Sequence, residues 1–533
     1  MSVFATGHAD IEFAPVVTHA ATDTTRDGGI SNRNSAPVVP AAREQRRKFI
    51  DSLWLISMLG VVAAKAIRPA IGMDEDLWSH IATGNWILAH RAVPTQDIFG
   101  AYTLGKPWVA YTWLFDVLMA KTYSALGLHG IATLATVLTL GFVASLVVLF
   151  SRCGRMLRAI ALAALVFSAS AIVVTPRPWL FTCLFFVLEL YLLSQARDRG
   201  QAAWLIPVPP LLALWANVHI QFVYGLAVMG LFAIEYPVAA VLKWDSTSAR
   251  RMNRWFVVAL VLSTLATLAN PYGWRLYNVV AEYATQKTAV QVIQEMQPLQ
   301  FRTASDWAAL FLVCSALFAI AGRQRRSTLM ISLLIVSMWF GFRTGRDVWF
   351  MAVISAWIIA NYSGRPDKVL TKVRMMQWAI AVPVTAAVAL AVLQSKSVSA
   401  KALQESASQR FPVQASAYIE KHGMKTPLYN PYGWGGYLIW RLPGMPVSID
   451  GRANLYGDDG LVRFMQTWTG QRNWAEDPAL MKANTIILER NSALASILRS
   501  DARFRMVYDD KVASVFEPIH TVEGNRQEKG NQK

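Results

Sequence analysis

From residue 49 to residue 393 the chain is a succession of apolar blocks separated by short polar loops. The blocks fall at roughly 49–70, 128–150, 157–174, 178–196, 204–219, 220–242, 254–270, 306–322, 327–342, 346–362 and 375–393. Each is close to the ~20 residues that a helix needs to cross a bilayer. Hydrocarbon offers no partner to backbone N–H and C=O groups, so such a block satisfies them internally, as a helix. The pattern predicts an α-helical polytopic membrane protein with about 11 transmembrane helices. The blocks at 204–219 and 327–342 are the shortest, and the polar segments at their outer ends also fit a re-entrant path. Composition agrees: 54% of residues are hydrophobic and 16% charged, against roughly 25% charged in soluble proteins. A soluble enzyme and a disordered chain are both excluded.

The formal net charge of +17 would point to nucleic acid in a soluble protein. Here its distribution gives another account. Alternate loops hold Arg152, Arg155 and Arg158; Arg197 and Arg199; Lys243, Arg250, Arg251 and Arg254; Arg323, Arg325 and Arg326; Arg365, Lys368, Lys372 and Arg374. The intervening loops hold far fewer cations. Cytoplasmic loops collect Lys and Arg, so the first set is cytoplasmic and no nucleic-acid partner is implied. The basic run Arg43, Arg46, Arg47, Lys48 keeps the N-terminus inside. An odd number of spans then puts the C-terminus outside.

Outside the spans, residues 1–42 and 521–533 read as disordered polar tails, and 43–393 as the transmembrane domain. Residues 71–127 form a first outer loop with two amphipathic stretches, 76–90 and 112–126, expected to lie at the membrane interface. Residues 394–520 mix helix patterns at 414–422 and 493–500 with β-like runs at 446–450, 484–489 and 512–516. They predict a small exported α/β domain. The three cysteines, Cys153, Cys183 and Cys314, lie in or near apolar segments, so no disulfide framework is expected.

The acid cluster Asp74, Glu75, Asp76 follows span one. Adjacent carboxylates beside an apolar surface raise one another's pKa and attract cations. One of them could take a proton from a hydroxyl acceptor, and Asp74 with Asp76 could contribute to a divalent-metal site. The plainer reading is a helix N-cap for 76–90; the two are compatible. His80 lies one turn after Asp76 on the same face. Asp97, in PTQDIFG, is a turn former or a further site acid. Near the outer mouths of the spans stand Arg177, Asn217, His219, Asn270, Arg343, Arg346 and Asp347. Ionisable groups there are functional candidates, and converging arginines suit a lipid phosphate. The alternative is snorkelling and helix ending. In the exported segment, Asp450-Gly451-Arg452 could hold sugar hydroxyls beside Trp434 or Trp440, or could serve a strand–turn element. No GxxxxGK[ST], HExxH, CxxC or GxSxG motif is present.

Several of these stretches resemble bacterial polytopic membrane proteins grouped with the GT-C glycosyltransferases. They are MDEDLWSHIATGNWILAHRAVPTQDIFGAYTLGKPW, RPWLF, LWANVHIQFVYG, NPYGWRLY, FRTGRD and WGGYLIWRLPGMPVSIDGRANLYG, and the resemblance runs in order over most of 49–518. It implies helices around a cavity open to the outer leaflet, an acidic first outer loop with two juxtamembrane helices, and a polyprenyl-phosphate-linked sugar donor. Protein O-mannosyltransferases and lipid A aminoarabinose transferases share this plan. Their Asp-Glu pair matches Asp74-Glu75, whereas an Asp-x-Asp pattern would match Asp74 and Asp76.

The expectation is a glycosyltransferase moving a sugar to a glycolipid or polysaccharide acceptor outside the membrane. Asp74 or Asp76 would be the base, with His80 and Asp97 in support. Glu75, Arg177, Asn217, His219, Arg343, Arg346, Asp450 and Arg452 would bind substrate. No cofactor is required, and Mg²⁺ or Mn²⁺ is compatible with the acids. The alternatives are a lipid-linked glycan binding or transport component without catalysis, and an oligosaccharide ligase using a pyrophosphate carrier.

Overall fold

The computed structural model describes residues 41–66, 73–152, 155–244, 247–286, 288, 293–323, 327–362, 370–393, 398–471 and 473–519. The expected tails lie outside the described residues, except that Ala41 and Ala42 open the first helix, α1 (Ala41–Ala66). The described residues from 48 onward cluster into one compact unit, to which everything below belongs.

The chain is mostly helical, and each apolar block carries a helix. Among the described residues, five helices are long and apolar enough to cross a bilayer: Phe49–Ala66 within α1, α3 (Trp113–Ser151), α5 (Trp179–Arg199), α7 (Phe222–Val241) and Ala304–Ala321. Shorter apolar helices include α4 (Met156–Ala169), α6 (Val208–Val218) and Thr328–Arg343. The stretches at 112–126 and 128–150 are one helix, α3, kinked at Gly127 (φ 59°, ψ −152°). No other residue adopts that backbone so readily.

The first loop folds onto the helical body through α2 (Glu75–His90). Asp74 caps it: its Oδ1 accepts from the amides of Asp76 (3.0 Å) and Leu77 (3.2 Å). Acids in the first turn favour the same end. One face of α2 buries Leu77, Trp78, Ile81 and Ile87. Gly84 lets α3 approach so closely that any Cβ would collide with the Asp116 carbonyl. α2 also packs against the helix Gly435–Arg441. There Trp78 sits edge-on to Tyr437 (5.3 Å between centroids) and beside Trp440 (4.4 Å).

The C-terminal segment holds a four-stranded sheet ordered β1-β2-β4-β3. Its strands are β1 (Leu428–Tyr429), β2 (Thr485–Glu489), β3 (Phe504–Asp509) and β4 (Ala513–Pro518). β1 runs parallel to β2, and the other pairs are antiparallel. Helices Val413–Lys421 and Ala493–Ser500 pack with it. The β-like run at 446–450 forms no strand of its own. Instead Val447 bridges Gly100 and Leu428, donating to the Phe99 carbonyl (3.0 Å) and accepting from Ala101 (2.8 Å). The first loop and the C-terminal segment are thereby joined through the backbone.

Candidate active site

Asp74, Asp76 and Arg177 meet at the start of α2. The Arg177 Nε donates to Asp74 Oδ2 at 2.9 Å, and its Nη1 lies 2.7 Å from Asp76 Oδ2. The same Nη1 is 3.5 Å from Glu295 Oε2, and Glu295 also pairs with Arg346. Arg177 and Arg346 both lie over the Trp179 ring, at 5.1 and 5.7 Å from its centroid. The result is an alternating chain of acids and guanidinium groups: Asp74 and Asp76, Arg177, Glu295, Arg346.

Asp76, Arg177, Glu295 and Arg346 line a cavity of about 590 Å³, together with Tyr111, Tyr283, Arg302, Tyr432 and Gly451. An adjoining cavity of about 110 Å³ shares Asp76, Arg177 and Arg346 and adds His80, Asp116, His219 and Arg452. Asp74 is only 6% exposed, and both its oxygens accept from Arg177 or the α2 amides. It is a cap and an anchor for Arg177. Asp76 is 33% exposed, toward the cavity. Gly451 presses against its carboxylate so tightly that a Cβ would overlap Oδ1.

Burial pushes the Asp76 carboxyl above the ordinary carboxylate range. Arg177 and His80 pull it down, and Asp74 and Glu295 add to the rise. Burial works against a charged His80, but Asp116, through charge and hydrogen bond, and then Asp76 and Asp74 outweigh it and raise the imidazole pKa. His80 Nδ1 lies 2.6 Å from Asp116 Oδ1, and Thr112 Oγ1 donates to Asp116 Oδ2 at 3.2 Å. Asp76 thus combines a raised pKa with an opening to the cavity.

The other expected site residues divide. Arg346 lies in the cavity, and its buried Nε has no acceptor among the described residues. His219 lines the smaller cavity and is held by Thr182 Oγ1 at 2.8 Å. Glu75 pairs with Arg410 at the cavity rim. Arg343 instead is exposed and stacks on Trp339 at 5.0 Å, the snorkelling outcome. Asn217 ties helices together, accepting from Trp113 Nε1 and donating to the Ala213 and Ala269 carbonyls. Asp97 and Asp450, expected to support catalysis and to bind sugar, are both fully buried as the acceptors of Arg452, each at 2.6 Å. Arg452 also lies over Trp108 at 4.6 Å. These three latch the first loop to the C-terminal segment and leave no carboxylate free for a ligand.

Four lining residues had no motif to announce them. Glu295 and Arg302 lie in an irregular loop, and Tyr283 in the short helix Arg275–Thr285. Asp116 is a lone acid on an otherwise apolar stretch, a pattern that marks function by default inside membrane helices.

A divalent ion fits this arrangement poorly. Arg177 already bridges Asp74 and Asp76, and among the described residues no group of three or more His, Cys, Asp or Glu is disposed to hold a metal.

No known family pattern and no curated relative matches the chain. Solved structures do. The archaeal oligosaccharyltransferase AglB from Archaeoglobus fulgidus, solved with an inhibitory peptide and a dolichol-phosphate, superposes with a TM-score of 0.51 at 12% identity, covering 82% of this chain and 69% of AglB. The fold is of the GT-C type. ArnT from Cupriavidus metallidurans bound to undecaprenyl phosphate gives a TM-score of 0.47 at 13% identity, covering 88% of this chain and 98% of ArnT. In this GT-C-type chain, the acidic start of α2 and the arginines of two interhelical loops face one cavity.

Proposed function

We propose that the chain is a GT-C-type glycosyltransferase of a bacterial inner membrane, with its N-terminus cytoplasmic and its C-terminus periplasmic. It moves a sugar from a polyprenyl-phosphate carrier to a periplasmic glycolipid or polysaccharide. One observation carries the reading: a carboxylate with a raised pKa, Asp76, and a guanidinium with an unsatisfied buried donor, Arg346, line the same cavity. Asp76 takes the proton of the acceptor hydroxyl as that oxygen attacks the anomeric carbon. The bond to the carrier phosphate breaks, and the phosphate leaves with the electron pair. Arg346 gives the departing phosphate a charge-assisted hydrogen bond where its charge develops. Arg177 holds Asp74, Asp76 and Glu295 in place, and His80 on Asp116 supplies positive charge behind Asp76. No step is routed through a metal.

The test is transfer by the purified protein from a panel of polyprenyl-phosphate sugars to envelope glycolipids. Loss of transfer in a folded Asp76→Asn protein supports the reading, and no transfer from any donor in the panel refutes it. Arg302 favours a second reading. Its exposed guanidinium lines the same cavity and has no side-chain partner among the described residues, so a second phosphate could be seated there. A ligase using a pyrophosphate carrier would accept lipid-pyrophosphate oligosaccharide and lose that activity in Arg302→Ala.

A further inference from the structure

Beside the main cavity lies a second one of about 430 Å³, which the transfer chemistry leaves unused. Its floor is aromatic. Phe464 and Trp468 stand one turn apart on the helix Ala453–Trp468, their rings nearly parallel (17°) with centroids 6.1 Å apart. Tyr432 lies 6.5 Å from Phe464. The rim is charged, with the Glu75–Arg410 pair on one side and Glu489, at the end of β2, on the other. Among the described residues the Glu489 carboxylate has no hydrogen bond or ion pair. Burial raises its pKa, Arg410 pulls against that, and Glu75 adds to it.

The two cavities are continuous in their lining, because Glu75, Ile293 and Tyr432 belong to both. Glu75 is followed directly by Asp76. Gly433 packs against this shared residue: a Cβ there would stand 2.7 Å from the Glu75 carboxyl carbon.

An isoprenoid chain suits the floor but would strip water from Glu75, Arg410 and Glu489 and return no hydrogen bonds, a costly burial. A saccharide matches both halves. The C–H face of a pyranose packs flat on an aromatic ring, and its hydroxyls donate to carboxylates, the few-polar, mostly apolar lining typical of ligand clefts. We propose that this cleft is the acceptor subsite, holding a neutral sugar unit of the acceptor glycan on Trp468 and Phe464 with its hydroxyls on Glu75 and Glu489, so that the next unit reaches Asp76. This deepens the transferase reading and rests on it for the identity of the bound glycan as acceptor.

The experiment measures binding without turnover. Full-length protein in nanodiscs is titrated with fluorescently end-labelled β-gluco-, chito-, manno- and malto-tetraose. At least one is expected to bind wild type and Asp76→Asn equally. Its affinity is expected to drop at least tenfold in Trp468→Leu, to recover in Trp468→Phe, and to drop in Glu489→Gln, whose side chain is free of structural partners among the described residues. The proposal is overturned if no tetrasaccharide binds. It is also overturned if Trp468→Leu and Glu489→Gln bind as wild type, or if labelled farnesyl phosphate or a labelled peptide library, rather than a sugar, depends on Trp468. Trp468-dependent sugar binding by a protein that transfers from no donor would retain the cleft and refute the transferase reading instead.

Discussion

Replacing Asp76 by Asn separates the chemistry of the site from its architecture. Asn keeps the shape and one acceptor oxygen for Arg177 but removes the charge and the basic oxygen. General-base catalysis contributes ~10²–10⁴ in rate, about 2.7–5.4 kcal/mol of barrier. Stability moves the other way. Asp76 has a raised pKa because burial disfavours its charged form, so the folded state binds this proton more tightly than the unfolded chain. Stability is then lost as pH rises from the unfolded pKa through the higher folded one. At pH 7 the Asp76 carboxyl therefore costs the folded state stability that Asn does not, while Arg177 keeps Asp74 at 2.9 Å. The variant should therefore melt no lower than wild type at pH 7 and transfer sugar roughly 10²-fold or more slowly. The wild-type kcat/KM should fall with acidification at a pH above the ordinary Asp value of about 3.9, because the base protonates early. Scanning fluorimetry and a radiolabelled-donor assay measure the two effects on one preparation. Full turnover by a folded Asp76→Asn protein refutes the assignment, as does a wild-type rate that stays level down to about pH 4.

Arg346→Gln removes the donor offered to the phosphate while Glu295 keeps Arg177. The kcat/KM for the sugar donor should fall ~10–100-fold, the worth of about 1.5–3 kcal/mol for a hydrogen bond to a charged group, and an unchanged kcat/KM counts against a phosphate seat. Arg452→Ala strands Asp97 and Asp450, whose side chains are both 0% exposed. A loss of about 3–5 kcal/mol is expected, read as a lowered unfolding midpoint, and lysine should not restore the two-sided pairing. Gly451→Ala drives a methyl into the Asp76 carboxylate and should lower kcat while leaving the donor KM near wild type, as steady-state kinetics would show. Because Arg177 occupies both aspartates, transfer should persist in EDTA, and loss restored by Mg²⁺ or Mn²⁺ would show that a cation displaces Arg177.

What could be read from the sequence was local, and what could not was made by distant segments meeting. The apolar blocks give helices because a bilayer leaves backbone groups no other partner. The cap at Asp74 could be read because its partners, the amides of Asp76 and Leu77, lie within three residues of it. Asp74 and Asp76, by contrast, look alike in sequence. Arg177, about a hundred positions away, distinguishes them by saturating one and leaving the other open to the cavity. Glu295 and Arg302 carry no local pattern, so only the cavity reveals them. Asp97 and Asp450 resembled site acids because a buried ion pair and a reactive carboxylate use the same residue types. Arg452 decides between those roles, and it reaches Asp97 across more than three hundred residues of chain. That contact explains why the SIDGRANLYG stretch matters without touching substrate through its acids. By fixing Arg452 it places Gly451 against Asp76, and a stretch of the C-terminal segment becomes a wall of the site that begins at α2.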